Sequence, residues 1–114
     1  MSIDITVEPL PGATLVAVAG RLDSATSDAF EKTLLGLYEQ PAARVLLDCG
    51  ALAYVSSAGL RVVLMAAKRA RQGQGRLVLC GLSPNVREVF EISGFVKILD
   101  IAADRAEGSA RVAA

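Results

Sequence analysis

Histidine is absent from this chain, and so is tryptophan. The first absence excludes a Ser-His-Asp triad and every imidazole metal ligand. Aromatics are scarce, three Phe and two Tyr, so the core must come from Leu, Val, Ile and Ala. The two cysteines, Cys49 and Cys80, are too far apart for a Cys-x-x-Cys motif, and each closes an apolar run. They read as buried, reduced thiols. No apolar run approaches the roughly 20 residues of a membrane span. The opening MSIDITVEPL puts Asp4 where a signal peptide needs basic and then apolar residues. A cytoplasmic chain with no membrane association is expected. No segment matches a P-loop or a Gly-x-Gly-x-x-Gly fingerprint, and RQGQGRL (71–77) reads as a turn before a strand.

What is present is apolar and balanced. The chain has 114 residues, 53% hydrophobic and 21% charged, which suits one domain with a real core. Bases and acids number 12 each. Residues 1–57 hold seven acids against three bases, net −4; residues 58–114 hold five against nine, net +4. Lys68, Arg69 and Arg71 form the one basic cluster, without interleaved aromatics. It reads as a solvated helix face, and no nucleic-acid partner is expected.

Hydrophobic periodicity gives the element order. IDITVE (3–8) alternates as a half-buried strand does, PLPG (9–12) is a turn, and ATLVAVAG (13–20) completes a hairpin. A helix within 21–40 places Phe30, Leu34, Leu37 and Tyr38 on one face, with Ser24 or Thr26 as its N-cap. RVLLDCG (44–50) reads as a central strand, continued by ALAYV (51–55). The next helix carries Leu60, Val63, Leu64 and Ala67 at helical spacing. RLVLCG (76–81) is a strand. In LSPNVREVFEISG (82–94), Ser83 is the N-cap, Pro84 the first helical residue and Gly94 the C-cap, with Val86, Val89 and Phe90 facing inward. FVKILDI (95–101) reads as a short last strand. A weak helix over 102–112, interrupted by Gly108, ends the chain. Strand–helix alternation after a hairpin implies an α/β domain, a mixed and mostly parallel sheet of about five strands with about four helices. Its core spans about residues 3–101 within a single domain of 1–114.

In such sheets function gathers where strands feed helix N-termini. Two junctions qualify, AGRLDSAT (19–26) and YVSSAGLR (54–61). In the first, Asp23 suits a helix N-terminus, and Arg21 is a loop charge. In the second, Ser57 precedes a helix expected to start near Ala58. A serine there caps a free N–H, an effect of about 1 kcal/mol. That reading explains one serine. It leaves the second, and it leaves Ala58 and Gly59, which are expected to clear space for close approach by another chain. A phosphate on the serine would also suit the helix end. Cap and switch both stay open on the residues alone. A catalytic serine lacks a base at useful spacing.

These motifs together resemble the STAS domain of anti-sigma factor antagonists. GRLDSAT (20–26) is similar to the family's G-x-L-D-x-x-T signature. VLLDCGALAYVSSAGLRVVL (45–64) is similar to the block that carries its phosphoserine, and LCGLSPNVREVFEISGF (79–95) to the strand and helix that follow. The resemblance runs from about residue 4 to about residue 102. It implies a non-enzymatic, bacterial regulator that binds a serine kinase with a histidine-kinase-like, ATP-binding fold, the kinase doubling as an anti-sigma factor. Phosphorylation would release that partner, and a serine phosphatase would reset the chain. The output would be transcription or secretion. No cofactor, metal or catalytic residue is implied. Carried over, the phosphoserine falls on Ser57. Ser56, which stands where many members have Asp, is the rival acceptor. The partner surface falls on Arg21, Asp23, Ser24, Thr26, Ser56, Ser57, Ala58, Gly59 and Arg61.

Two other readings compete. One is a STAS adaptor in a signalling assembly or transporter, without phospho-switching. The other is a two-component receiver domain with Asp48 as acceptor. The receiver reading lacks the acidic pair after the first strand and the lysine after the last.

Overall fold

The computed structural model describes residues 3–114. Strand β1 (Ile3–Leu10) turns through Pro11 and Gly12 into β2 (Ala13–Leu22). Helix α1 (Ser27–Leu37), β3 (Arg44–Val55), α2 (Ser57–Gln72), β4 (Arg76–Cys80), α3 (Pro84–Ser93), β5 (Asp100–Ala102) and α4 (Arg105–Ala113) follow. The sheet runs β1-β2-β3-β4-β5, with β1 antiparallel to β2 and every later pair parallel. This is the expected mixed sheet with four helices. The sequential order, opening on an antiparallel edge, departs from the 2-1-3-4-5 order of flavodoxin-like receivers. Asp48 departs too. It lies inside β3, and its Oδ2 accepts from Arg105 Nη2 at 2.6 Å and Nε at 3.0 Å.

Side-chain alternation splits the core into two layers. Val16, Val18, Val45, Leu47, Cys49, Leu77 and Leu79 meet α1, α2 and α3 on one face. Leu15, Leu46, Val78 and Cys80 meet Val112 of α4 on the other. The three parallel crossovers therefore share one face, as a one-directional strand order with right-handed crossovers requires. Among the described residues only α4 covers the back.

Several elements differ from expectation. β3 runs unbroken over its 12 residues, as the sequence reading has it, but it bulges twice: Ala17↔Asp48 is followed by Ala19↔Ala51, and Gly20↔Leu52 by Arg21↔Tyr54. Each bulge adds one residue to β3, so the buried positions step by three, Cys49, Leu52, Val55, where a flat strand would step by two. The last strand is shorter than 95–101. Gly94 caps α3 in the left-handed region (φ +81°), and Phe95–Lys97 form a 3-10 turn in which Ile98 N–H donates to Phe95 O. β5 pairs with β4 only at Val78–Cys80, although β4 starts two residues earlier at Arg76, and the residues before Asp100 bond locally instead. The buried face of α2 is Leu60, Val62, Val63, Ala66 and Ala70, with Leu64 and Ala67 half-buried, a rotation from the predicted stripe. Helix α4 is continuous through Gly108, whose missing side chain has a reason: a Cβ there would lie 2.6 Å from Leu46 Cδ1. Gly108 lets the helix lie close on the sheet.

Candidate functional site

Parallel pairing of β2 with β3 brings both predicted junctions to the same end of the sheet. Arg21 pairs with Tyr54 and Leu22 with Val55. The pairing continues past the strands, where Ser56 N–H donates to Leu22 O at 2.8 Å. The loop after β2 is tied by one side chain. Thr26 Oγ1 donates to Arg21 O at 2.8 Å and accepts from Asp23 N–H at 3.0 Å. Asp23 Oδ1 accepts from the N–H of Ala25 (3.0 Å) and of Thr26 (3.2 Å). Thr26 is the residue before α1, but its hydroxyl serves this loop and makes no side-chain cap bond. Ser24 is exposed at the loop tip.

At the second junction the structure reassigns the serines. Helix α2 starts at Ser57, one residue earlier than expected, so Ser56 is the cap. Ser56 is extended (φ −92°, ψ 173°), and its Oγ accepts from Gly59 N–H at 3.3 Å. Ser57 is the first helical residue and is exposed. Among the described residues its hydroxyl has no hydrogen-bond partner. The first turn of α2 holds no acid.

Gly59 has a different role from the one its position suggested. It is buried, and a Cβ there would stand 2.5 Å from Leu22 Cγ and 3.0 Å from Leu22 O. The space that Gly59 clears is filled by Leu22 of the same chain. Thr26 is buried as well, so both residues shape the loops from beneath. Ala58 is half-buried. It borders a groove of about 250 Å³ between α1 and α2, lined also by Arg61, Asp28 and Glu31.

Sequence reasoning missed Tyr54. The guanidinium carbon of Arg21 lies 4.2 Å from the centroid of its ring, and Arg21 Nε lies 4.0 Å from Asp23 Oδ2. The available clue was the bulged apolar run ALAYV, whose phase periodicity alone could not set.

The cysteines take no part. Both are buried and free. Burial pushes the Cys80 thiol up to about 11 and Cys49 higher still, so neither offers a thiolate near neutrality. Among the described residues no acid or thiol cluster could hold a metal, and no helix is long and apolar enough to cross a membrane.

Residues 4–108 match the family model of the STAS domain. BtrV of Bordetella bronchiseptica, a candidate anti-sigma factor antagonist, is 46% identical over 106 residues, 93% of this chain and 91% of that protein. The anti-sigma-B factor antagonist of Listeria monocytogenes is 38% identical over 87 residues, 75% of each chain. Among solved structures, the anti-sigma factor antagonist SpoIIAA in its unphosphorylated form superposes with a TM-score of 0.80 at 23% identity, over 96% of both chains. A phosphorylated SpoIIAA from Bacillus gives 0.74 at 22% identity, over 96% of this chain and 99% of that one. Likeness at that identity speaks for the fold.

Proposed function

The chain belongs to the STAS-domain family, and from that premise we propose that it is an anti-sigma factor antagonist switched by phosphorylation of Ser57. In this reading the single-domain chain works without catalysis, in the cytoplasm. Unphosphorylated, it binds a serine kinase of histidine-kinase-like fold that doubles as an anti-sigma factor. The phosphorylated chain lets go, and a serine phosphatase restores it. The names of BtrV and the Listeria relative, and the two forms of SpoIIAA, support the reading.

One observation carries it: the Ser57 hydroxyl stands free and exposed at the first position of α2, beside the Arg21–Asp23 loop. A kinase can reach it without unfolding the helix. The product suits its place. Phosphate adds roughly −1.5 to −2 charges, and the positive end of α2 has no acid to repel them. A docked kinase surface then meets new charge and bulk at the centre of its contact. Ser56 is the weaker acceptor, because its Oγ already accepts from Gly59 and phosphorylation there would displace the cap. Arg21, Asp23, Ser24, Ala58 and Arg61 supply the surrounding contact surface, and Thr26 and Gly59 hold its shape.

The test is phosphorylation by a purified serine kinase with ATP, mapped by mass spectrometry. The phosphate is expected on Ser57, with Ser57→Ala inert and Ser56→Ala still an acceptor. Ser57→Asp is expected to lose kinase binding. Stoichiometric phosphate on Ser57→Ala would reject the site, and tight binding by Ser57→Asp would reject the charge mechanism.

A further inference from the structure

The two tyrosines of the chain are treated in opposite ways. Tyr38 is buried, and its hydroxyl donates to Arg76 O at 2.9 Å, so it serves the fold. Tyr54 is 40% exposed at the site end of β3, and among the described residues its hydroxyl has no partner. Yet it is firmly held. Arg21 stacks on its ring at 4.2 Å, and the parallel register fixes Arg21 opposite it. The Arg21 carbonyl is tied to Thr26, the next residue Val55 is a core anchor, and Ser56 N–H is bonded to Leu22 O. An aromatic immobilised before a partner arrives loses little entropy on binding. Tyr and Arg are also the residue types that dominate interface hot spots.

We infer that Tyr54, stacked on Arg21, is the aromatic anchor through which the chain grips its serine kinase. The inference rests on the functional reading above and names a contact within that surface. Its occupant follows from reach. Tyr54 stands three positions before Ser57, a chain length of at most about 10 Å. A standard interface covers about 800 Å² on each partner, a disc of about 16 Å radius. A contact of that radius centred on the Ser57 hydroxyl is wide enough to take in Tyr54, which alternates to the sheet face opposite Val55 and meets a partner that wraps over the end of the sheet.

The experiment uses the full chain and the purified kinase that phosphorylates it. Affinity, the steady-state kinetics of phosphorylation and thermal melting are measured for wild type, Tyr54→Ala, Tyr54→Leu and Tyr54→Phe. Tyr54→Ala is expected to raise Kd about 30-fold, the scale of a hot-spot residue. It should raise KM for phosphorylation by a similar factor, with kcat unchanged and the melting temperature lowered by no more than a few degrees, the cost of losing the exposed Arg21 stack. Tyr54→Phe keeps the ring face and is expected to bind as wild type does. Tyr54→Leu keeps apolar bulk in the strand and is expected to share the loss seen with Ala. A merely structural role would lower the melting temperature and leave KM alone. Should wild type accept phosphate on Ser57 while Tyr54→Ala and Tyr54→Leu bind within twofold of it, the anchor is rejected and the functional reading stands. If no serine kinase binds or phosphorylates the wild-type chain, both are rejected.

Discussion

Gly59 of α2 rests directly on Leu22 of β2. A methyl group added to Gly59 would stand 2.5 Å from Leu22 Cγ and 3.0 Å from the Leu22 carbonyl oxygen. This contact, with the hydrogen bond from Ser56 N–H to the same carbonyl, clamps the start of α2 against the end of β2. It sets how the Ser57 hydroxyl and the Asp23 loop are presented together.

Gly59→Ala tests the clamp. Alanine gains up to about 1 kcal/mol of helix propensity over glycine. Overpacking costs typically 1–3 kcal/mol, and here a backbone carbonyl shares the crowding and cannot rotate away. We expect a net loss of about 1–2 kcal/mol in urea unfolding. Because Leu22 is the obstacle, the Leu22→Ala, Gly59→Ala double variant should lose less than the sum of the single losses. Strict additivity would show that the clash is relieved elsewhere.

The two serines are expected to separate by stability. Ser56→Ala removes the cap bond to Gly59 N–H and should cost about 1 kcal/mol. Ser57→Ala removes a hydroxyl without a partner and should stay within about 0.5 kcal/mol of wild type. Equilibrium denaturation of both variants checks this. The reverse ranking would return the cap to Ser57.

Helix α4 should open before the rest of the molecule. It buries a single large apolar side chain, Val112, and its remaining ties are side-chain bonds such as Arg105 to Asp48 and Arg111 to Asp100. Beneath it lies Cys80, whereas Cys49 sits under the helices of the opposite face. Gly108→Val would press into Leu46 and lift the helix. With a thiol reagent under native conditions, this variant should label at Cys80 at least about tenfold faster than at Cys49, as expected for a local opening. Equal rates at the two cysteines would mean that α4 opens only with global unfolding.

The pH dependence of stability should be one-sided. With no histidine, no side chain of ordinary pKa titrates between about pH 5 and 8, so stability should be flat through neutrality. Burial raises Cys80 from 9.0 to about 11 and moves Cys49 and Tyr38 upward too. Above about pH 9 the unfolded chain loses these protons while the folded chain keeps them. The unfolded state then binds fewer protons, and stability falls as pH rises. Urea midpoints should decline from pH 9 towards 11, and less steeply in a Cys80→Ala variant. A midpoint that held constant to pH 11 would contradict the assigned burial.

Much of the architecture was legible from local pattern. The hairpin, the strand–helix alternation, and the Ser83–Pro84 start and Gly94 stop of α3 follow from short-range signals, whereas the two junctions meet at one sheet end through the parallel pairing of β2 with β3. The phase of 51–55 was not legible, because two bulges change the period and a bulge leaves no fixed residue signature. The extent of β5 was not legible either, because the left-handed Gly94 and the 3-10 turn at Phe95–Lys97 take up residues whose apolar pattern reads as strand. Tyr54 escaped notice too. An aromatic in an apolar strand is core by default, and only the register that stacks Arg21 upon it shows otherwise.

Local pattern encodes the class of the fold and closes off some chemistries. Apolar periodicity encodes which elements form, and a missing histidine removes imidazole chemistry whatever the fold. Tertiary structure alone decided what the small and polar residues of the site do. Which serine caps α2 depends on where that helix is pinned by Leu22, 37 residues before Gly59. Gly108 is tolerated in α4 because Leu46, distant in sequence, occupies the space its side chain would need. Periodicity reports that a position is buried; only packing reports what it is buried against.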